Sequence, residues 1–317
     1  MNMVKKVTVV VPCYNESPNV LAFYKELKYA TKKIPAEIDL LYVNDGSKDN
    51  TLELLHKLAR EDSQVHILDL SRNFGKEAAT SAGIAYATGD AVILIDGDGQ
   101  HPPELIKEFI SRWLEGADIV VGVRKSNQKE GIVKKYGSVL FYKVLRRLTK
   151  NQMTPGLTDF CLLDKSVKAD FNLLTERNRI TRGLIDWLGY RKVTVEFAAK
   201  ERIAGNPTYK LSSLFNLALN SFVSLSLKPL HVAFYIGALV LPVSIALALF
   251  ATINALLGDP LGLNITGTAY MVILCLFLLG LSLVSQGVMA LYLSHIHTET
   301  QNRPLYIINE RTSKINK

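Results

Sequence analysis

Residues 232–257 and 269–293 contain no charged side chain. Each run exceeds the ~20 helical residues that cross a ~30 Å hydrocarbon core, so the sequence predicts two transmembrane helices, the first kinked at Pro242. The rest of the chain cannot share that environment, because 21% of its 317 residues are charged. A soluble unit on a membrane anchor is therefore expected. Residues 258–268 carry one charge, Asp259, whereas Lys200, Arg202, Lys210 and Lys228 precede the runs and Arg303, Arg311, Lys314 and Lys317 follow them. The positive-inside rule then places the soluble unit, both termini and a tail at 294–317 in the cytoplasm, at the inner membrane. The apolar stretch from Val7 to Cys13 is too short, and too broken by Pro12, to act as a signal peptide.

Four of the 37 cations and three of the 29 acids lie beyond residue 231, so residues 1–231 carry +7. That charge suits anionic lipid or phosphate. No zinc-finger, basic-zipper or RNA-recognition pattern accompanies it, and nucleic acid is not expected as a partner. Three scattered cysteines, Cys13, Cys161 and Cys275, form neither a disulfide framework nor a zinc site, which fits a reducing compartment.

Within the soluble part, β-branched runs alternate with helical periodicity. Val7–Val11 precedes a helix through Val20, Phe23 and Leu27; 38–43 precedes 51–61; 65–70 precedes 76–87; 91–95 precedes 102–115; and 119–121 follows. Such alternation predicts an α/β fold with a mostly parallel, Rossmann-like sheet, whose ligands collect beyond the carboxyl ends of the strands. The loops there are polar: Asn44-Asp45-Gly46-Ser47, Ser71-Arg72-Asn73-Phe74-Gly75-Lys76 and Asp96-Gly97-Asp98-Gly99-Gln100. Neither G-x-G-x-x-G after the first strand nor G-x-x-x-x-G-K-[ST] occurs, so dinucleotide oxidoreductases and P-loop nucleotidases lose their main support. Asp96 and Asp98, with Gln100 nearby, offer hard oxygen ligands for Mg²⁺ or Mn²⁺. A calcium loop counted from Asp96 fails, since Lys107 stands at the twelfth position. The competing reading is that the two aspartates only turn the chain and cap the helix opening at Pro102-Pro103.

Three ordered segments, Val9-Val10-Val11-Pro12-Cys13-Tyr14-Asn15-Glu16, Val43-Asn44-Asp45-Gly46-Ser47-Lys48-Asp49 and Asp96-Gly97-Asp98-Gly99-Gln100-His101-Pro102-Pro103-Glu104, resemble the A-type, inverting family-2 glycosyltransferases. Two C-terminal runs and the segment from Gly122-Val123-Arg124 to Thr158-Asp159-Phe160 make the chain similar to bactoprenol glucosyltransferases and dolichol-phosphate mannose synthases. The resemblance implies that Pro12, Tyr14, Glu16, Asp45, Lys76 and Asp96 hold the nucleotide sugar. Asp96, Asp98 and Gln100 would ligate a metal at its diphosphate, and Asp159 would be the catalytic carboxylate beside Asp98, as a base or by positioning the acceptor. Arg124, Lys134, Lys135, Ser138, Arg202 and Lys210 would grip the phosphate of a polyprenyl acceptor.

The implied reaction moves a hexose, glucose from UDP-glucose foremost, to polyprenyl (undecaprenyl) phosphate with inversion. GDP-mannose is the alternative donor, and a downstream flippase and transferase are implied partners. A processive polysaccharide synthase would carry Q-x-x-R-W, absent here, and a silent scaffold would not need Asp45, Asp96, Asp98 and Asp159 intact. Relatives commonly read R-x-x-G-x-S-K-Y where this chain has Arg202-Ile203-Ala204-Gly205-Asn206-Pro207-Thr208-Tyr209-Lys210, which inverts the Tyr and Lys. Residues 211–231 show helical spacing of Leu211, Leu214, Phe215 and Ala218, as an amphipathic interfacial helix would. Ile180 to Arg191 is a second membrane-facing candidate with Trp187 as anchor. Homo-oligomerisation through the spans is a further expectation, without a G-x-x-x-G face.

Overall fold

The computed structural model describes residues 5–32, 34–124, 157–177, 179–198 and 267–315, with isolated positions between 246 and 257. It divides into two units, one of Met1–Thr208 with Arg303–Lys317 and one of Tyr209–Asn302.

The first unit is built on a seven-stranded sheet: β1 (Lys6–Cys13), β2 (Glu37–Asn44), β3 (Val65–Asp69), β4 (Ala91–Leu94), β5 (Ile119–Arg124), β6 (Leu157–Asp164) and β7 (Lys192–Phe197). Their order is β3-β2-β1-β4-β6-β5-β7. Only β6 runs antiparallel to its neighbours, so the expected mostly parallel sheet is present. The helices are α1 (Val20–Thr31), α2 (Thr51–Glu61), α3 (Lys76–Tyr86), α4 (Ile106–Leu114), α5 (Lys165–Leu173) and α6 (Thr181–Trp187). The helix expected at 102–115 starts later, because Pro103–Leu105 forms a 3₁₀ turn first.

Both faces of the sheet are buried, as the continuous apolar strands require. Val7, Val9 and Val11 pack on one side with Phe23, Leu27, Leu55 and Phe109, while Val10 packs on the other with Ala79, Ala82 and Phe171. Helix α3 is rich in Ala and carries Gly83 because it lies almost on β1: a Cβ at Gly83 would stand 2.2 Å from Val10 Cγ1.

The winding order of the parallel strands reverses at β1, since β2 and β3 lie to one side of it and β4 to the other. The β1–β2 ladder runs to Cys13 and Asn44, but the β1–β4 ladder stops at Val10 and Leu94. Pro12, which has no N–H to give, lies in the stretch where β1 has a partner on one side only. That opening is the crevice where doubly wound sheets bind ligands.

The tail expected at 294–317 is divided in the structure. Helix α7 (Gly267–Thr300) runs 34 residues, about 51 Å at ~1.5 Å per residue. From Arg303 the chain belongs to the first unit, where it lies along β3, with antiparallel bridges Ile67↔Lys314 and Leu70↔Ile308. Helix α7 contains the run at 269–293, but among the described residues no helix is long and apolar enough to cross a membrane. The expected interfacial helix at 211–231 and most of 232–257 lie outside the described residues. The membrane expectations therefore rest on the sequence.

Candidate active site

The loops after β1 and β2 are stitched to each other. The Asn15 N–H donates to Ser47 Oγ at 2.9 Å and the Lys48 N–H to Asn15 Oδ1 at 2.8 Å. Asn15 holds a left-handed φ of 53°, which Asn tolerates better than most residues. The Glu16 N–H reaches Thr51 Oγ1 at 2.9 Å, and Asp49 accepts from the Ser17 and Thr51 N–H groups, both at 3.1 Å. Glu16 itself accepts from Asn19 Nδ2 at 2.6 Å, and Tyr14 is 41% exposed at the rim. An aromatic ring so placed on a fixed loop is ready to stack on a planar ligand.

Asp45 is 2% exposed and ties the β2 loop to the β3 loop. It accepts from the Phe74 N–H at 2.7 Å and the Gly75 N–H at 2.9 Å. Burial raises its pKa, against the pull of those two N–H groups and of Arg72. Gly46 must be glycine: its φ is +60°, and a Cβ would meet the Arg72 backbone at 2.3 Å.

Lys76, the first residue of α3, is exposed, its side chain 44% accessible, but it is not a lone cation. Its Nζ lies 2.7 Å from Asp96 Oδ1 and 2.9 Å from Asp159 Oδ2, across 83 residues of sequence. Burial opposes its charge, but the two carboxylates outweigh burial and raise its pKa. Burial likewise acts to raise the Asp159 pKa, yet Lys76 and then Arg182 hold it below the ordinary carboxylate value. Asp159 is thus an ionised partner of a cation rather than a strong proton acceptor.

The Asp96–Gln100 loop does not serve as a helix cap, because neither the 3₁₀ turn nor α4 has a side-chain cap. Within it the Gln100 N–H donates to Asp98 Oδ1 at 3.0 Å. His101 supports the loop from below: its Nδ1 accepts from the Asp96 N–H at 3.3 Å, and its ring stacks on Phe160 with centroids 5.2 Å apart. Burial lowers the His101 pKa, against the pull of the nearby Asp96 carboxylate, and so favours the neutral ring.

Half-buried Asp96 and Asp98, two carboxylates on one turn, fit a divalent cation that draws its other ligands from water and a diphosphate. Among the described residues no group of three or more His, Cys, Asp or Glu side chains could enclose a metal by themselves.

Three site residues escape motif reading. Thr181 and Arg182 begin α6, and with Asp159, Ile185, Asp186 and Lys192 they line a small cleft. Glu77, the neighbour of Lys76, accepts from the Thr181 N–H at 2.8 Å and so fixes the start of α6 beside Asp159. Only spatial pairing identifies them. Arg124 stands exposed at the end of β5, and Trp187 is 63% exposed at the end of α6. Lys134, Lys135, Ser138, Arg202 and Lys210 lie outside the described residues. A larger cavity, about 240 Å³, opens at the opposite end of the strands around Lys6, Asp39 and His66. Its Lys6–Asp39 pair is closed at 2.7 Å.

The chain is 40% identical to an uncharacterized glycosyltransferase of Synechocystis over 97% of this chain and 96% of that one. It is 36% identical to the bactoprenol glucosyl transferase of Shigella phage SfX over 96% of this chain and 99% of that protein. Among solved structures, the glucosyl-3-phosphoglycerate synthase of Mycobacterium tuberculosis shares the fold, with a TM-score of 0.50 at 18% identity over 70% of this chain and 77% of that one. The glycosyl transferase family 2 profile matches residues 8–169, which hold most of β1, all of β2 to β6, the Asp96–Asp98 turn and Asp159; the chain belongs to that family.

Proposed function

We propose that this protein transfers glucose from UDP-glucose to a polyprenyl phosphate at the cytoplasmic face of a membrane, with inversion at the anomeric carbon. The observation that carries the reading is the convergence of the buried Asp45 loop, an Asp96–Asp98 turn and a Lys76–Asp159 pair at the switch point of one sheet. The choice of glucose and bactoprenol is supported by relatives named bactoprenol glucosyl transferase, 36% identical over nearly the whole chain.

Tyr14 packs against the base, and Asp45, held by two backbone N–H groups, keeps its remaining lone pairs for it. Asp96, Asp98 and Gln100 would hold Mg²⁺ or Mn²⁺, which when bound neutralises the diphosphate as negative charge grows on it. Lys76 cancels part of the charge of Asp96 and Asp159, so that an anionic donor and an anionic acceptor can meet in a site lined with carboxylates. A phosphate oxygen of the acceptor bonds to the anomeric carbon as the bond from that carbon to the diphosphate breaks, and the electron pair leaves with UDP. The acceptor is already ionised at neutral pH and needs orientation rather than deprotonation. Arg124 and Arg182 stand on the side where it arrives, with Lys134, Lys135, Ser138, Arg202 and Lys210 as further phosphate contacts.

Membrane anchoring through 232–257 and 269–293 belongs to the same proposal. It is supported by the return of residues 303–317 to the unit that holds residues 1–208, which requires any membrane crossing between them to be even in number. Subunits associate through the two spans, and a flippase and a second transferase act on the product.

Transfer of radiolabelled sugar from a panel of UDP- and GDP-sugars to undecaprenyl phosphate, with Mg²⁺ or Mn²⁺ and with Asp98→Ala as control, tests the proposal. Glucose alone is expected in the lipid fraction, and nothing with the variant. Labelling by GDP-mannose would make the protein a mannose synthase, and nucleotide binding without lipid labelling would overturn the acceptor.

A further inference from the structure

The segment after helix α7 makes contacts that an unstructured tail would not. Lys314 and Ile67 exchange backbone hydrogen bonds at 2.8 and 2.9 Å, the Asn309 N–H donates to the Asp69 carbonyl at 2.8 Å, and the Ser71 N–H to the Ile307 carbonyl at 2.9 Å. Tyr306, Ile308 and Ile315 pack on the sheet face that holds Leu68 and Leu70, and Phe74 packs there too. The segment thus borders the same β3 loop, 70–75, whose N–H groups hold Asp45.

Asp69 lies at the centre of this contact. It is the last residue of β3, 4% exposed, and its two carboxylate oxygens face different partners. Oδ1 accepts from Asn44 Nδ2 at 2.7 Å. Oδ2 accepts from the Thr312 hydroxyl and, at 3.5 Å, from Asn309 Nδ2, while the Asp69 N–H donates to Ser313 Oγ at 3.0 Å. Asn44 is 1% exposed and immediately precedes Asp45; its carbonyl accepts from the Leu70 N–H at 2.9 Å and its Oδ1 from the Ser47 N–H at 3.4 Å. A buried carboxylate therefore joins the C-terminal segment to the loop that carries Asp45.

We propose that residues 303–315 are part of the donor site: through Thr312 and Asp69 they position Asn44, and with it Asp45, for the nucleoside. Thr312, Asp69 and Asn44 are positioning residues, since none of them need touch the ligand. The physical reason is the cost of weakening the hydrogen bonding of a buried carboxylate oxygen, which without Thr312 keeps only the 3.5 Å contact from Asn309 Nδ2. If the Thr312 hydroxyl is removed, Asp69 turns toward another donor and Asn44 loses its fixed partner. The inference rests on the reading of Asp45 as the nucleoside carboxylate.

The experiment is titration of the full chain in detergent with UDP and with GDP, in the presence of Mn²⁺, followed by steady-state transfer. Thr312→Val keeps the shape and removes the hydroxyl. It is expected to weaken nucleotide binding about fivefold and to raise the donor KM with little change in the acceptor KM. Thr312→Ser restores the hydroxyl and is expected to restore binding, a rescue that general loosening of the segment would not give. Deletion of residues 308–317 is expected to weaken binding more, in protein whose far-UV circular dichroism is unchanged. Unaltered nucleotide affinity in folded Thr312→Val overturns the inference while leaving the donor site intact. Wild-type protein that binds neither nucleotide overturns the donor site itself, and this inference with it.

Discussion

The two flanks of the crevice are held together by different physics. On the β1–β2–β3 flank, carboxylates and amides are fixed by backbone N–H groups: Asp45 by Phe74 and Gly75, Asp49 by Ser17 and Thr51, Asn15 by Lys48. On the β4–β6 flank, ion pairs dominate, with Lys76 between Asp96 and Asp159 and with Arg182 close to Asp159. A backbone N–H is held in one direction by the fold, whereas a lysine ammonium on a flexible stem can trade a carboxylate for a phosphate. The first flank is suited to recognising a rigid nucleoside before reaction. The second is suited to redistributing charge as a diphosphate departs and a phosphate arrives.

The largest expected effects follow from the charged flank. Lys76→Met and Asp159→Asn are each expected to lower kcat by about 100- to 1,000-fold, and the double variant little further, because the pair works as a unit. Initial rates of the two singles and the double check this; additive losses would mean that the contact has no catalytic meaning. Because Asp159 is held below the ordinary carboxylate value, it stays ionised at neutral pH, and the kcat profile of the wild type should show no limb from it above about pH 5. Arg182→Gln comes next. An approximately tenfold rise in the acceptor KM with a donor KM nearly unchanged is expected if the guanidinium orients the acceptor phosphate. The reverse split would move Arg182 to the donor side.

On the flank held by backbone hydrogen bonds the expected losses are smaller and appear in binding. Asp45→Asn places an amide NH₂ against the Phe74 or Gly75 N–H, both of which donate. The donor KM is expected to rise about five- to tenfold, with a lesser change in kcat. A kcat loss equal to that of Lys76→Met would erase the distinction between the flanks.

The two flanks also differ in how far the sequence discloses them. The loops after β1, β2 and β4 are legible because each is a local polar motif at the end of an apolar run, and local chemistry is what periodicity and turn residues report. The charged flank is assembled across distance. Lys76 and Asp159 are 83 positions apart, and Glu77 meets Thr181 across 104. Strand β6 enters between β4 and β5 against the direction of both, an order that no hydropathy pattern encodes. The segment at 303–315 is harder still. Thr312 and Asp69 are separated by 243 positions, and a short polar stretch after an apolar helix carries no mark of a strand-edge partner.

The smallest expected effect separates positioning from stability, using the opposite end of β3. Asp62 precedes that strand and accepts from the Tyr24 hydroxyl at 2.8 Å and from the Gln64 N–H at 2.9 Å, with Lys28 Nζ at 2.7 Å. Burial acts to raise the Asp62 pKa, but Lys28, the Gln64 N–H and Tyr24 outweigh it and lower the value. A carboxylate so depressed contributes stability that is present above the unfolded value, about 3.9, and is lost as pH falls through the lower folded value. Tyr24→Phe is expected to cost about 1 kcal/mol at pH 7, to cost less as the pH drops below about 3.9, and to leave UDP affinity unchanged. Denaturant unfolding at the two pH values and a UDP titration measure both. Tyr24→Phe and Thr312→Val each remove one hydroxyl from a buried or half-buried carboxylate at one end of the same strand. If both weaken UDP binding alike, β3 transmits general loosening; if only Thr312→Val does, the carboxyl end of the strand is specifically tied to the donor loop.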